Sequence, residues 1–366
     1  MAKRPAVKRR ASNAAVKRSP PKPDRLALRA VAATAEPPPT VSAGEVIDRS
    51  LTIEIVRVTE RAAVAAARLR GRGDEMAADQ AAVDAMRREL NNLAIHGTIV
   101  IGEGGRDHAP MLFIGEEVGD RSGPRVDIAL DPLEGVTLCA KAQPNAISVI
   151  AIAEPGTLLN APDVYMEKIA IGPQYADDTV DLAAPPEENI RRLARAKGVG
   201  VEEITACVLD RPRHAKLIEA IRASGAAIRL ITDGDIAGVI DATNPFETGV
   251  DVYLGIGRAP EGVLAAAALK CIGGRMQSRL VLDTDERRRK AAAFGVSDPS
   301  RIYRVGDMAR GDVIFAATGV TDGRLLSGVV FGPDEIVTET IVMRSSTGTT
   351  RRIRAEHRSL EKFRLG

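Results

Sequence analysis

The sequence predicts an α/β protein of two domains behind a basic tail, and three observations carry that expectation. The first is size, since 366 residues exceed what a single small core needs. The second is an alternation of short apolar runs with helical patterns after about residue 198, which is βαβ grammar and implies a parallel sheet. The third is composition: with 45% hydrophobic and 27% charged residues the chain should fold, and the disordered class is left to the tail.

Residues 1–42 are the expected tail. Residues 1–40 hold ten Lys or Arg against Asp24 and Glu36, a local balance of +8, so the formal net charge of +2 leaves −6 on the rest. Pro20, Pro21, Pro23 and the run Pro37–Pro39 break the amphipathic helix of a transit peptide, which favours a solvated tail or an upstream start site. Positive charge confined to such a segment disfavours a specific nucleic-acid binder, as do four Tyr, six Phe and no Trp. No apolar run reaches the length that spans a bilayer, so no membrane partner is expected. Cys139, Cys207 and Cys271 lack CxxC spacing and sit in apolar segments, which fits the cytoplasm.

The first expected domain, residues 43–200, reads as α+β. Ser42 can cap a helix over 43–70 whose apolar stripe is Ile47, Leu51, Ile55, Val58, Ala62 and Ala65, ended by Gly71 and Gly73. A second helix over 77–93 carries Val83, Met86 and Leu90 on one face. Strands follow at 98–101, at 127–131 with Pro132 as its stop, and at 145–153. The second expected domain, residues 201–366, places strands at 204–209, 227–231 and 250–255 and helices at 215–223, 235–240 and 260–272. Strands at 313–317, 336–344 and 349–354 are expected to close the same domain.

The chemistry lies in carboxylates at strand ends and in glycine-rich turns. In Asp131-Pro132-Leu133-Glu134-Gly135 a strand delivers Asp131, and the turn returns Glu134 toward the same side. Carboxylates gathered in a cleft repel one another, and a hard divalent cation relieves that cost; with neither His nor Cys nearby, Mn²⁺ or Mg²⁺ is the natural occupant. Glu103 lies between glycines, and Asp79 and Glu261 lie near helix starts. Taken singly these are turn, cap or dipole residues, and spacing does not assemble them into one site.

Ten segments do so by resemblance. Arg57-Val58-Thr59-Glu60, Gly71 through Asp79, Gly97 through Gly104, Ala109-Pro110-Met111-Leu112, Asp131–Gly135, Tyr165-Met166-Glu167-Lys168, Arg211-Pro212-Arg213-His214, Asp233-Gly234-Asp235, Ala259-Pro260-Glu261-Gly262 and Gly306 through Arg310 resemble class II fructose-1,6-bisphosphatase. They occur in that family's order. The resemblance implies a layered αβαβα sandwich of the sugar phosphatase type, with two domains and the active site between them. It implies metal ligands at Asp79, Glu103, Asp131, Glu134 and Glu261. Substrate contacts are implied at Glu134, Gly135, Val136, Tyr165, Arg211, Pro212, Arg213, Asp233, Gly234, Asp235 and Arg258. Paired arginines suit a phosphate because each planar fork can bind two oxygens.

Four positions depart from the family pattern. Val136 stands where the family has a threonine that handles the attacking water, and Thr137 is rotated about 100° away on a helical path. Glu103 and Asp79 are then the expected catalytic groups. Glu75 replaces a lysine, Gly105 a glutamate and Arg258 a glycine, and Arg258 either restores a positive charge or fills the pocket. The implied reaction is hydrolysis of fructose 1,6-bisphosphate to fructose 6-phosphate, with sedoheptulose 1,7-bisphosphate as a close alternative, in gluconeogenesis or carbon fixation. A homo-oligomer is implied as well. The other class of function is a catalytically weakened paralogue that binds sugar phosphates or regulates a partner.

Overall fold

Helices α1 (Leu51–Ala67) and α2 (Glu75–Leu90) open the computed structural model, which describes residues 47, 49–104 and 111–363. These belong to the compact unit Val46–Gly366. The expected tail, the Ser42 cap, Gly105 and the Ala109-Pro110 pair lie outside the described residues. The helix expected from residue 43 begins at Leu51 instead. Ile47 is buried yet not helical, because the Arg344 guanidinium takes its carbonyl at 2.8 Å and removes it from a helical ladder. The expected stripe from Leu51 to Ala65 is buried along α1. Helix α2 starts two residues earlier than expected, where the Asp74 carboxylate accepts the Ala77 N–H at 2.9 Å.

The chain continues through β1 (His96–Ile101), β2 (Glu117–Val118), β3 (Arg125–Glu134), α3 (Val136–Ala140) and β4 (Ile147–Ala153). It then builds β5 (Tyr165–Ile171), α4 (Pro186–Lys197), β6 (Thr205–Leu209), α5 (Ala215–Ser224), β7 (Ala227–Ile231), α6 (Asp235–Asp241) and α7 (Pro245–Thr248). Next come β8 (Val252–Arg258), α8 (Ala259–Ile272), β9 (Arg275–Leu280), α9 (Asp285–Ala293), β10 (Tyr303–Arg304) and α10 (Val305–Met308). Strands β11 (Val313–Gly319), β12 (Val330–Phe331), β13 (Ile336–Arg344) and β14 (Thr349–His357) complete the regular structure.

One sheet has the order β12-β13-β11-β4-β3-β1-β2, with β14 on β13, and the other the order β10-β9-β5-β8-β6-β7. Strand β11 therefore does not close the second sheet as expected, and neither do β13 and β14. Every residue of β11 is buried, so the strand needs a neighbour on both edges, and it finds β4 on one side and β13 on the other. Sheet membership thus crosses the expected division at residue 200 twice, because β5 lies in the second sheet and β11–β14 in the first. The second sheet is mixed where a parallel one was expected. Strands β7 and β8 run parallel to β6, but β5 sits antiparallel between β8 and β9.

Three apolar clusters define five layers. Helices α1 and α2 cover one face of the first sheet. Helices α6, α8 and α10 fill the space between the sheets, and α4 and α5 cover the far face of the second. Helix α8 touches both sheets, which explains a segment apolar on all sides and rich in alanine: small side chains let the sheets approach it closely. This is the αβαβα sandwich. Among the described residues no helix is long and apolar enough to cross a membrane.

Candidate active site

Strand β3 does not stop at Pro132. It runs to Glu134, and its pairing with β4 slips between Asp131, opposite Val149, and Glu134, opposite Ile147. Three steps on β3 match two on β4, so the strand carries one extra residue. Proline suits a bulge because it has no N–H to leave unpaired, and the Leu133 N–H turns to the Asp131 carboxylate at 3.1 Å. Side chains three apart on a regular strand face opposite ways; the extra residue puts Asp131 and Glu134 on one side. Gly135 then takes φ +85° to start α3, where a Cβ would meet Leu138 at 2.9 Å.

This edge faces a cleft of about 530 Å³ whose lining includes Asp79, Glu103, Asp131, Glu134 and Glu261. All five carboxylates expected to ligate metal are thus brought together, from α2, the loop after β1, β3 and the first turn of α8. Gly135, Val136, Tyr165, Arg211, Arg213, Asp233, Asp235 and Arg258 line the same cleft. Pro212 and Gly234 do not; they shape the turns that present Arg213 and Asp235. Val136 is half-buried against the α1–α2 core and brings no hydroxyl to the cleft wall.

Burial dominates the electrostatics of this edge, and mutual repulsion among its carboxylates adds to it. Burial pushes Glu103 up to about 7, helped by the charges of Asp79 and Glu261 and opposed by Arg258. Glu261 is likewise raised to about 7, by burial and then by Asp235, with Arg258 and Lys168 opposing. Asp131 and Glu134 are held well above the ordinary carboxylate range, burial being the main cause in both. Glu134 accepts the Ile236 N–H at 3.0 Å through one oxygen, while its other oxygen and Oε2 of Glu261 are buried without a hydrogen-bond partner.

Orphaned oxygens in an all-carboxylate set fit a hard divalent cation, which would accept them and relieve the repulsion. Among the described residues no three such groups already converge on one point, so binding would draw the side chains together.

Arginines line the cleft as well. Arg213 lies 4.8 Å over the Tyr165 ring and donates to the Ile256 carbonyl at 2.9 Å, and Arg211 stands 3.7 Å from Asp233. Sequence reasoning assigned no role to the groups that hold these parts. His214 is buried beneath the arginine turn, donating from Nδ1 to the Leu209 carbonyl at 2.8 Å and accepting the Ile256 N–H on Nε2 at 2.7 Å. Burial lowers its pKa, which keeps the ring neutral for that double role. Lys168 is wholly buried and donates to Asp235, and at 3.2 Å to the Arg258 carbonyl. Gly257 makes room for that pair. The detectable signal was a lone lysine in an apolar strand, but the strand at 165–171 was not expected.

The family model described as bacterial fructose-1,6-bisphosphatase, glpX-encoded, matches residues 49–357. The chain is 45% identical over 337 residues to the D-fructose 1,6-bisphosphatase class 2/sedoheptulose 1,7-bisphosphatase of Synechococcus sp. (strain JA-3-3Ab), covering 85% of this chain and 96% of that relative. It is also 45% identical over 323 residues to the fructose-1,6-bisphosphatase 1 class 2 of Escherichia coli (strain K12), covering 84% and 95%.

Proposed function

Because the chain belongs to the bacterial class 2 fructose-1,6-bisphosphatase family, we propose that it hydrolyses fructose 1,6-bisphosphate at C1, releasing fructose 6-phosphate and phosphate. Sedoheptulose 1,7-bisphosphate is proposed as a second substrate, since it presents the same phosphorylated end. The observation that carries the reading is one cleft lined by five wholly or partly buried carboxylates together with Arg211 and Arg213.

Asp79, Glu103, Asp131, Glu134 and Glu261 are the residues proposed to hold Mn²⁺ or Mg²⁺. When bound, such an ion supplies Lewis-acid polarisation of phosphate oxygens and a more acidic water. The rest of the chemistry belongs to the chain. Arg211 and Arg213 grip the distal phosphate, Tyr165 gives the sugar a wall, and Asp233 and Asp235 accept hydrogen bonds from its hydroxyls. With Val136 unable to take a proton, Glu103 and Asp79 orient the attacking water. We place the enzyme in the cytoplasm as a homo-oligomer.

The test is manganese-dependent phosphate release from fructose 1,6-bisphosphate by the full chain, beside Glu103→Gln and Asp79→Asn. The expected result is turnover by the native chain and a loss of ~10²–10⁴ in each variant. Native silence with manganese bound overturns the reading and leaves a sugar-phosphate binder. Full activity in both variants removes the assigned roles.

A further inference from the structure

A phosphate dianion entering this cleft meets seven lining carboxylates and, among the described residues, three lining cations, Arg211, Arg213 and Arg258. Two of the three are the pair proposed for the distal phosphate, and both already have partners. Arg213 is stacked on Tyr165 and bonded to the Ile256 carbonyl, and Arg211 is drawn to Asp233. Arg258 is placed differently. It ends β8 and caps α8, so it stands three residues before Glu261, with its Nε 3.7 Å from that carboxylate. Its charge is felt by Glu103 and Asp131 as well.

The Arg258 backbone is held from within the fold, while its side chain is held at the exposed rim. Lys168 donates to its carbonyl from beneath at 3.2 Å, and the strand pairs it with Tyr165. The guanidinium leans outward and gives two N–H groups to one oxygen of Asp163, at 2.9 and 3.2 Å. That pair is 56% and 62% exposed, so solvent screens it and little holds it closed. Turned outward, the side chain does not fill the cleft. It is parked on the rim beside the acidic cluster.

Resting on the proposed reaction, we infer that Arg258 is a catalytic residue that leaves Asp163 and donates to the oxygens of the phosphoryl group being transferred. The planar fork offers the transferring group two parallel N–H donors. As the P–O bond to the sugar breaks and negative charge shifts over the equatorial oxygens, a guanidinium in this position stabilises the transition state more than the bound substrate.

The experiment uses the full chain with saturating Mn²⁺ and compares native protein with Arg258→Ala, Arg258→Lys and Asp163→Asn. Steady-state turnover of fructose 1,6-bisphosphate is read together with calorimetric titration of inorganic phosphate. Arg258→Ala is expected to lower kcat about 10²-fold with a smaller change in KM, and to weaken phosphate binding about 10-fold. Arg258→Lys should recover part of both losses, and Asp163→Asn should show neither loss. A native chain that turns over while Arg258→Ala keeps its kcat overturns the inference and leaves the proposed function standing. A native chain without turnover whose phosphate affinity still depends on Arg258 defeats that function and keeps the anion contact. Without turnover or dependence, both fall.

Discussion

Gly257→Ala is the substitution whose cost can be worked most directly from the structure. Gly257 does not take a positive φ, so no backbone strain enters and the argument is one of space. An added Cβ would lie 2.0 Å from the Asp235 carboxylate and 2.9 Å from the Lys168 ammonium. Side-chain carbons do not approach a heavy atom closer than 3.0 Å, so Asp235 must withdraw by about 1 Å or more. Withdrawal parts it from Lys168, whose side chain is wholly buried. Parting a buried ion pair costs ~3–5 kcal/mol, less whatever the neighbours recover; Glu261 is near enough to Lys168 to recover some. A loss of about 2–4 kcal/mol is expected for Gly257→Ala. The assay is urea unfolding of Gly257→Ala, of Asp235→Ala and of the double variant. With the clashing carboxylate gone, alanine at 257 should cost little, so the coupling should approach the whole single-variant cost of about 2–4 kcal/mol. Strict additivity, or a Gly257→Ala midpoint equal to the native one, refutes the reasoning.

Four further outcomes follow. Asp131→Asn should raise the melting temperature without metal, because it removes one charge from a repelling set, and should abolish most of the rise that Mn²⁺ produces in the native chain, about 2.7 kcal/mol at 100 times Kd; scanning fluorimetry with and without the ion reads both. Val136→Thr should raise kcat by about 10-fold or more by adding a positioned hydroxyl, with KM little changed; equal rates would show that Glu103 and Asp79 suffice. His214→Ala strips the Ile256 N–H of its acceptor and frees the carbonyl that holds Arg213, so KM should rise several-fold more than kcat falls, with ~1–3 kcal/mol lost in urea.

The fourth concerns pH. His357 is buried, accepts from Lys362 at 2.8 Å and bonds Thr338 at 2.9 Å, and burial followed by the Lys362 and Arg61 charges pushes its pKa down to about 4. The unfolded state, titrating near 6.5, takes up a proton that the folded state refuses. Stability therefore falls as pH drops from about 6.5 toward 4, and the loss levels off below. Glu60 in the same network is raised by burial and works in the opposite sense. The His357 contribution is isolated by comparing melting curves with His357→Gln across that window, and parallel curves would refute it.

Much of the site was legible because its residues announce themselves locally. The glycines around Glu103, the Pro132 that cannot donate, and the acids at helix starts are punctuation that a sequence displays. Asp79, Glu103, Asp131, Glu134 and Glu261 do share one cleft. The groups that support them gave weaker signals. Lys168 and His214 act through partners 67 and 42 residues away, Asp235 and the Ile256 N–H, and no local pattern shows that a buried cation will find its acid.

By itself the sequence determined the alternation of helices and strands, the apolar stripes, the acidic turns and the family to which they belong, since these depend on each residue and its near neighbours. Tertiary structure decided the rest. Only packing shows that the last strands return to the first sheet, because a strand buried on both faces must be paired on both edges. Only a shift of register against β4 turns Asp131 and Glu134 to one side. And only the meeting of α8 with both sheets sets Glu261 among acids that lie more than a hundred residues earlier, where its charge helps burial to raise Glu103 and Asp131.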